Sequence, residues 1–139
     1  LYAESSAILA WLLDEPTAPE IRTALAGADI VLASDLTVLE CHRALIRTVR
    51  IGQLTEVEAA DERARLSQAA AHWTFLGLAT DILERARRPF PVEPIRTLDA
   101  LHLASALVAQ QAVPGIVLLT LDHRVRSCAR ELGFDLMPA

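Results

Sequence analysis

The chain contains no lysine; all 13 of its basic residues are arginine. That excludes a P-loop nucleotide hydrolase, whose lysine must reach the phosphates, and carbonyl chemistry through a lysine Schiff base. It also argues against receiver-type and haloacid-dehalogenase-type phosphotransfer domains, whose acidic pockets work beside a lysine. Glycine is scarce, at five residues, so there is no Gly-rich phosphate loop. Aromatics make up only 4%, which leaves Leu, Ala, Val and Ile to build the core. The two cysteines, Cys41 and Cys128, form no CxxC pair for zinc or redox work. They read as buried free thiols in a reducing cytoplasm. No apolar run approaches the ~20 residues of a membrane span, and the opening carries no secretory signal pattern. A cytoplasmic protein with no membrane partner is therefore expected. Positive charge is also short: the net charge is −5 and the pI about 5.3. The basic footprint usual for nucleic-acid binding is missing, although carboxylates gathered to hold a cation would themselves account for negative charge.

What the chain does have is apolar material. Of its 139 residues 53% are hydrophobic and 22% charged, enough for one ordinary domain with a proper core. No repeat, linker or low-complexity stretch divides it. Residues 1–3 read as the end of a strand. Ser5 or Ser6 can cap a helix running to about residue 13, and residues 16–26 form a second short helix ending at Gly27. DIVLA (29–33) is a buried strand. Ser34 and Asp35 can cap a long helix over 36–50, closed by Gly52. Thr55 with Glu58 is a capping box for a helix to about residue 71. Residues 73–76 are a third strand, and 80–88 a short helix stopped by Pro89 and Pro91. Thr97 caps a very apolar helix, 98–111. Residues 116–120 form a fourth strand, 122–132 a helix, and 134–137 a last strand. Strands alternating with helices predict an α/β protein: a three-layer α/β/α fold around a mainly parallel sheet of four to five strands. Continuous apolar strands, buried on both sides, agree.

Against that scaffold four acidic residues stand out: Glu4, Glu40, Asp99 and Asp122. Each sits where an apolar strand runs out or a helix begins, in segments far apart in sequence. In an open parallel sheet those ends gather along one edge, where ligands bind. Carboxylates brought together repel. One pair about 5 Å apart costs roughly 3 kcal/mol at an effective dielectric of 20, and several pairs rival the ~5–15 kcal/mol total stability of a domain. Such a cluster must gain protons or hold a divalent cation, and Mg2+ and Mn2+ are the hard, oxygen-seeking ions that suit it.

Each residue also has a plainer reading. Asp99 and Asp122, in or before a first helical turn, suit the positive end of a helix dipole. Glu4 suits an exposed carboxylate near a terminus. Glu40 shares a helical stripe with Arg43, Arg47 and Arg50. That stripe is either a solvated ion-pair ladder, worth about a few tenths of a kcal/mol per pair, or a metal ligand beside a guanidinium track for phosphates. Arg124 is a phosphate contact near Asp122 or a surface residue. His102, on an apolar helix, reads as a hydrogen-bonded core histidine ahead of a ligand, and His123 as an exposed helix-start residue. His42 and His72 carry no special signal. What separates the acidic set from independent caps is that every member falls where convergence is expected.

The segments that carry these residues are YAESSAILAWLL, LTVLECHRAL, LDALHLASAL and LLTLDHRVRSCARELGF. In that order and spacing they resemble the PIN-domain nucleases, in particular VapC-like toxins of bacterial toxin–antitoxin pairs. The resemblance runs nearly end to end, and LDALHLASAL is its most specific piece. It implies a single PIN domain over 1–139. Glu40, Asp99 and Asp122 match the family's metal-ligand positions, and Glu4 falls where the family usually has Asp. Ser6 and Thr120 match polar positions that bond ligands or metal-bound water. Glu is longer than Asp by one C–C bond, about 1.5 Å, whereas Mg2+ demands near-octahedral geometry at about 2.0–2.1 Å. Backbone or ion must shift, or water must bridge.

The expected activity is metal-dependent hydrolysis of RNA phosphodiester bonds by an endoribonuclease toxin. One or two Mg2+ or Mn2+ ions, held by Glu4, Glu40, Asp99 and Asp122, would activate water, and Arg43, Arg47 and Arg124 would steer the RNA backbone. The resemblance further implies a cognate VapB-like antitoxin covering the acidic groove, and a homodimer. Helices over 16–26 and 55–71 are expected to expose apolar surface for such contacts. Two other functions compete: a catalytically weakened PIN-like module, its metal site spoiled by Glu4, that binds antitoxin or RNA; and a metal-dependent phosphatase of small molecules.

Overall fold

Alternating apolar residues in very short strands set the architecture. The computed structural model describes residues 1–139. Its strands are β1 (Tyr2–Ala3), β2 (Leu32–Ser34), β3 (Thr74–Leu76), β4 (Leu118–Leu119) and β5 (Leu136–Met137). All are parallel, in the order β3-β2-β1-β4-β5. Seven helices connect them: α1 (Ser5–Leu12), α2 (Ala18–Gly27), α3 (Asp35–Arg50), α4 (Glu56–Ala70), α5 (Thr80–Ala86), α6 (Thr97–Ala112) and α7 (His123–Glu131).

Successive strand residues point to opposite faces, and the core divides accordingly. Tyr2, Leu32 and Leu118 face α6 and α7, packing with Leu103, Ala106, Val125 and Cys128. Ala3 and Ala33 face the other way, onto Ile8, Leu12, Cys41 and Leu66 of α1, α3 and α4. Leu119 joins Ala7, Ala10 and Ile21 on that same side. The result is the expected three-layer α/β/α sandwich, with helices covering both faces of a parallel sheet.

Element boundaries differ from expectation where tertiary packing overrides local pattern. The strand read over 29–33 begins only at Leu32, and Ile30 is half-exposed. The strand read over 116–120 shortens to two residues. At the sheet edge, Thr74 and Phe75 of β3 are exposed rather than buried on both sides. The capping box of Thr55 and Glu58 forms as read, as does the Ser34 cap of α3. Gly52 follows α3 with φ +76°, a left-handed turn that favours glycine. Two caps differ. Glu4, not Ser5 or Ser6, caps α1. Arg96, with no side-chain cap bond, precedes α6, so Thr97 lies inside the helix. No helix is long and apolar enough to cross a membrane.

Leu103, fully buried on α6, tests the larger core. Leu103→Ala should lower the unfolding free energy by about 2–5 kcal/mol in urea titration.

Candidate active site at the sheet switch point

Strand order places the site. The chain leaves β1 toward β2 on one side and later returns to β4 on the other. The crevice beyond the carboxyl ends of β1 and β4 is therefore the switch point, where parallel α/β sheets bind ligands. Glu4 follows β1 directly, Thr120 and Asp122 follow β4, and α1, α3 and α7 start along this same edge. Glu40 is only the sixth residue of α3, and Asp99 the third of α6.

Glu4 anchors the crevice. Its carboxylate is buried, with 4% exposure, and a buried carboxylate is costly unless hydrogen-bonded. Oε1 accepts from the Ser5 hydroxyl at 2.7 Å. Oε2 accepts from the Ser6 amide at 3.1 Å, from the Thr120 hydroxyl at 2.7 Å and from the Ser6 hydroxyl. Ser6 then ties the two strand ends together: its Oγ accepts from the amides of Leu121 at 2.9 Å and Asp122 at 3.1 Å. Both supporting polar residues read from the sequence, Ser6 and Thr120, thus meet Glu4 directly. The plainer reading of Glu4 as an exposed terminal carboxylate is corrected by this burial.

Asp122 caps α7. Its Oδ1 accepts from the amides of Arg124 at 2.8 Å and Val125 at 3.0 Å, so the capping role holds. Asp99 is different. Its Oδ2 is buried without a hydrogen-bond partner. Burial first, then the charges of Asp122 and Glu4, push its carboxyl above the ordinary value, against the smaller opposing pull of Arg96 and His102. Three of the four acidic residues therefore lie within electrostatic reach of one another.

Glu40 is joined to this group through His102. The His102 Nε2 lies 2.5 Å from Glu40 Oε1 and 4.0 Å from Glu4 Oε1. On its other side, Nδ1 lies 3.2 Å from the Tyr2 hydroxyl. His102 is 1% exposed and Tyr2 fully buried, so the reading of a hydrogen-bonded core histidine is right, and its partner is one of the four candidate acidic residues. The ion-pair ladder is absent: no salt bridge joins Glu40 to Arg43, Arg47 or Arg50. Glu40 turns inward to the imidazole instead. Arg43, Arg47 and Arg124 are exposed and make no ion pair. Cys41, beside Glu40, is pushed up to about 12 by burial and by Glu4 and Glu40, which makes it an inert thiol.

Sequence reasoning did not find Tyr2, Ser5 or the Glu40–His102 bond. A signal existed for His102, which lies three residues after Asp99 and so on the same helical face. Tyr2 and Ser5 had none, because their role depends on packing across the sheet.

The donors are hard carboxylate oxygens, and the orphaned Asp99 Oδ2 is the kind of group a cation satisfies; the residues fit a divalent oxygen-seeking ion. As they stand, no group of three or more His, Cys, Asp or Glu side chains is arranged to hold one. Both Glu4 oxygens and one Asp122 oxygen are already engaged, so binding requires carboxylates to turn. A mainly apolar cavity of about 830 Å³ lies elsewhere, among Leu1, Ile30, Ile116 and Val117 before the strands begin, and touches none of Glu4, Glu40, Asp99 and Asp122.

A doubly wound parallel sheet with a carboxylate cluster at its switch point defines an α/β domain with an acidic ligand edge. The PIN domain family model matches residues 1–131, and the chain belongs to that family. It is 31% identical over 140 residues to ribonuclease VapC45 of Mycobacterium tuberculosis, with 100% of this chain and 95% of that protein aligned. It is 34% identical over 137 residues to ribonuclease VapC46 of the same species, covering 99% and 95%. Among solved structures it is similar to M. tuberculosis VapC20, a sarcin-ricin loop cleaving toxin. There the TM-score is 0.65 over 96% of this chain and 95% of that one, at 14% identity. A toxin-antitoxin complex from Klebsiella pneumoniae gives a TM-score of 0.59 over 87% and 85%, at 17% identity. At such identities these two speak for the fold alone.

Two outcomes follow from the geometry. Because Asp99 holds its proton more tightly folded than unfolded, stability is lost as pH rises from the ordinary carboxyl value of 3.8 through the raised folded value, and stays lost above it. In chelator at neutral pH, Asp99→Asn should therefore melt a few degrees above wild type. The gap should close on acidification toward 3.8 in a melting series. Ser6→Ala, which leaves the Leu121 amide without an acceptor and takes one donor from the buried Glu4 carboxylate, should cost about 1–3 kcal/mol in urea unfolding.

Proposed function

We propose that the chain is a Mg2+- or Mn2+-dependent endoribonuclease and the toxin of a toxin–antitoxin pair. One observation carries this reading: Asp99, with a buried unpartnered oxygen, sits among the charges of Asp122 and Glu4 at the switch point. The names of full-length relatives, ribonucleases VapC45 and VapC46, support it. Asp99, Asp122 and Glu40 would hold the divalent cation, which would supply positive charge beside a phosphate and lower the pKa of a bound water for phosphodiester hydrolysis.

The chain's own residues divide the work. Asp99 offers its free Oδ2. Asp122 keeps one oxygen on the start of α7 and offers the other. Glu40, its Oε1 held by His102, offers Oε2. Glu4 contributes charge from a fully bonded carboxylate, oriented by Ser6 and Thr120. That arrangement suits a bridging water in place of direct contact, one of the accommodations its greater length over Asp allows. Arg43, Arg47 and Arg124, exposed and unpaired, are free to attract RNA phosphates.

A VapB-like antitoxin is the partner that this acidic edge fits, through cationic groups. A homodimer is supported by apolar exposure, though not where the sequence suggested. No large apolar side chain of α2 is exposed and only Val57 of α4, because their apolar content is chiefly alanine. Of the large apolar side chains exposed elsewhere, three lie on and just after α3: Leu39 at 56%, Ile46 at 43% and Ile51 at 62%. A reducing cytoplasm suits the free buried thiols.

Asp99→Asn should reduce RNA cleavage in Mg2+ about a thousandfold, the loss of about 4 kcal/mol of charge stabilisation, with an unchanged circular dichroism spectrum. A variant that still cuts RNA overturns the site. Absence of Mn2+ binding by calorimetry, together with retained RNA or antitoxin binding, turns the protein into a binding module. Cleavage of small phosphate esters in preference to RNA makes it a phosphatase.

A further inference from the structure

The contacts behind Glu40 form a chain of three groups from different parts of the sequence, with Tyr2 and His102 buried and Glu40 partly exposed. The Tyr2 hydroxyl lies 3.2 Å from His102 Nδ1, and His102 Nε2 lies 2.5 Å from Glu40 Oε1. The two rings meet edge to face at 78°, with centroids 6.3 Å apart. With Glu40 ionised and the imidazole neutral, the hydrogen bonds run in one direction. A carboxylate only accepts, so the hydrogen facing Glu40 sits on Nε2. A neutral ring then has an acceptor at Nδ1, and the phenol is the donor that meets it. Solvent does not compete, because Tyr2 is fully buried and His102 is 1% exposed. Nothing else holds Glu40: it makes no ion pair with any arginine and accepts no other hydrogen bond.

We propose that Tyr2 and His102 are positioning residues, a phenol–imidazole relay that locks one ring tautomer and aims the free oxygen of Glu40 at the cation. Neither touches the ion or the substrate. This role rests on the metal reading above. The imidazole spans the gap between the β1 face and α3, so it also sets how far Glu40 stands from Glu4. Outer groups of this kind tune metal affinity by about 10–100-fold when removed.

The experiment uses the full chain with Mn2+ as probe. Nitrogen-15 NMR of the histidines in wild type should give His102 one tautomer, protonated at Nε2. Tyr2→Phe, which keeps the ring and removes only the hydroxyl, should blur that signature and weaken Mn2+ binding by calorimetry about tenfold. Its kcat should fall while the KM for RNA stays put. His102→Leu should lose affinity further, and His102→Gln, whose amide can still donate to Glu40, should recover part of it. An unperturbed tautomer and unchanged Mn2+ affinity in Tyr2→Phe overturn the relay. Wild type that binds no Mn2+ overturns the metal reading and the aiming role with it, and the tautomer is read separately from that failure. Should Tyr2→Phe not fold, His102→Leu against His102→Gln decides: equal Mn2+ affinity in both overturns the proposal.

Discussion

The buried carboxylate of Glu4 is the constraint around which this molecule is arranged. Burying that charge requires donors, and they come from both sides of the switch point: Ser5 and Ser6 behind β1, Thr120 behind β4. Satisfying one carboxylate thereby fixes the relative position of two strand ends that are over 100 residues apart in the chain. Ser6 closes the circuit by accepting from the amides that lead into α7. On the far side of β4, Arg126 adds a second brace, with hydrogen bonds to the carbonyls of Thr120 and Pro138 at 2.8 Å each. Thr37 does the same for α3, donating to the carbonyl of Ala3 at 3.0 Å. The starts of α1, α3 and α7 are thereby tied back to this small region.

That rigidity is paired with deliberate frustration. Glu4 and Asp122 are satisfied by hydrogen bonds, while Asp99 keeps a buried oxygen with nothing to bond and neighbours of its own sign. Within a fold whose net stability is only ~5–15 kcal/mol, such an arrangement persists because the surrounding contacts outweigh it. The same feature that weakens the free protein is the one a cation would relieve. Under the proposed function, stability and activity pull against each other at a single side chain.

The fold was largely legible because its signals are local. Thr55 and Glu58 wrote a capping box, Ser34 a cap, Gly52 a stop, and apolar strands alternating with helices a parallel sandwich. Strand ends were not legible. DIVLA is as apolar as a buried strand should be, yet Ile30 faces solvent, since which apolar residues pair is decided by neighbouring strands. The acidic residues could be located from their place at strand and helix ends, and the switch point brings Glu4, Asp99 and Asp122 within reach. What Glu40 does was not legible. The stripe of Arg43, Arg47 and Arg50 offers it partners at helical spacing, and only packing of α6 against β1 supplies His102. The cap at Glu4 escaped for a related reason: Ser5 and Ser6 are the better N-cap residues in isolation, but both hydroxyls are needed by the carboxylate in front of them.

Strand order has a consequence for timing. The central strand, β1, is made first, whereas its neighbour β4 is the fourth of five in the chain. Until β4 emerges, Glu4 lacks Thr120, Ser6 lacks the two amides it accepts from, and Asp122 does not exist beside Asp99. A ribosome translating this message therefore carries a nascent chain whose acidic edge stays unassembled for most of its synthesis. Topology alone withholds the candidate site until β4 has joined β1.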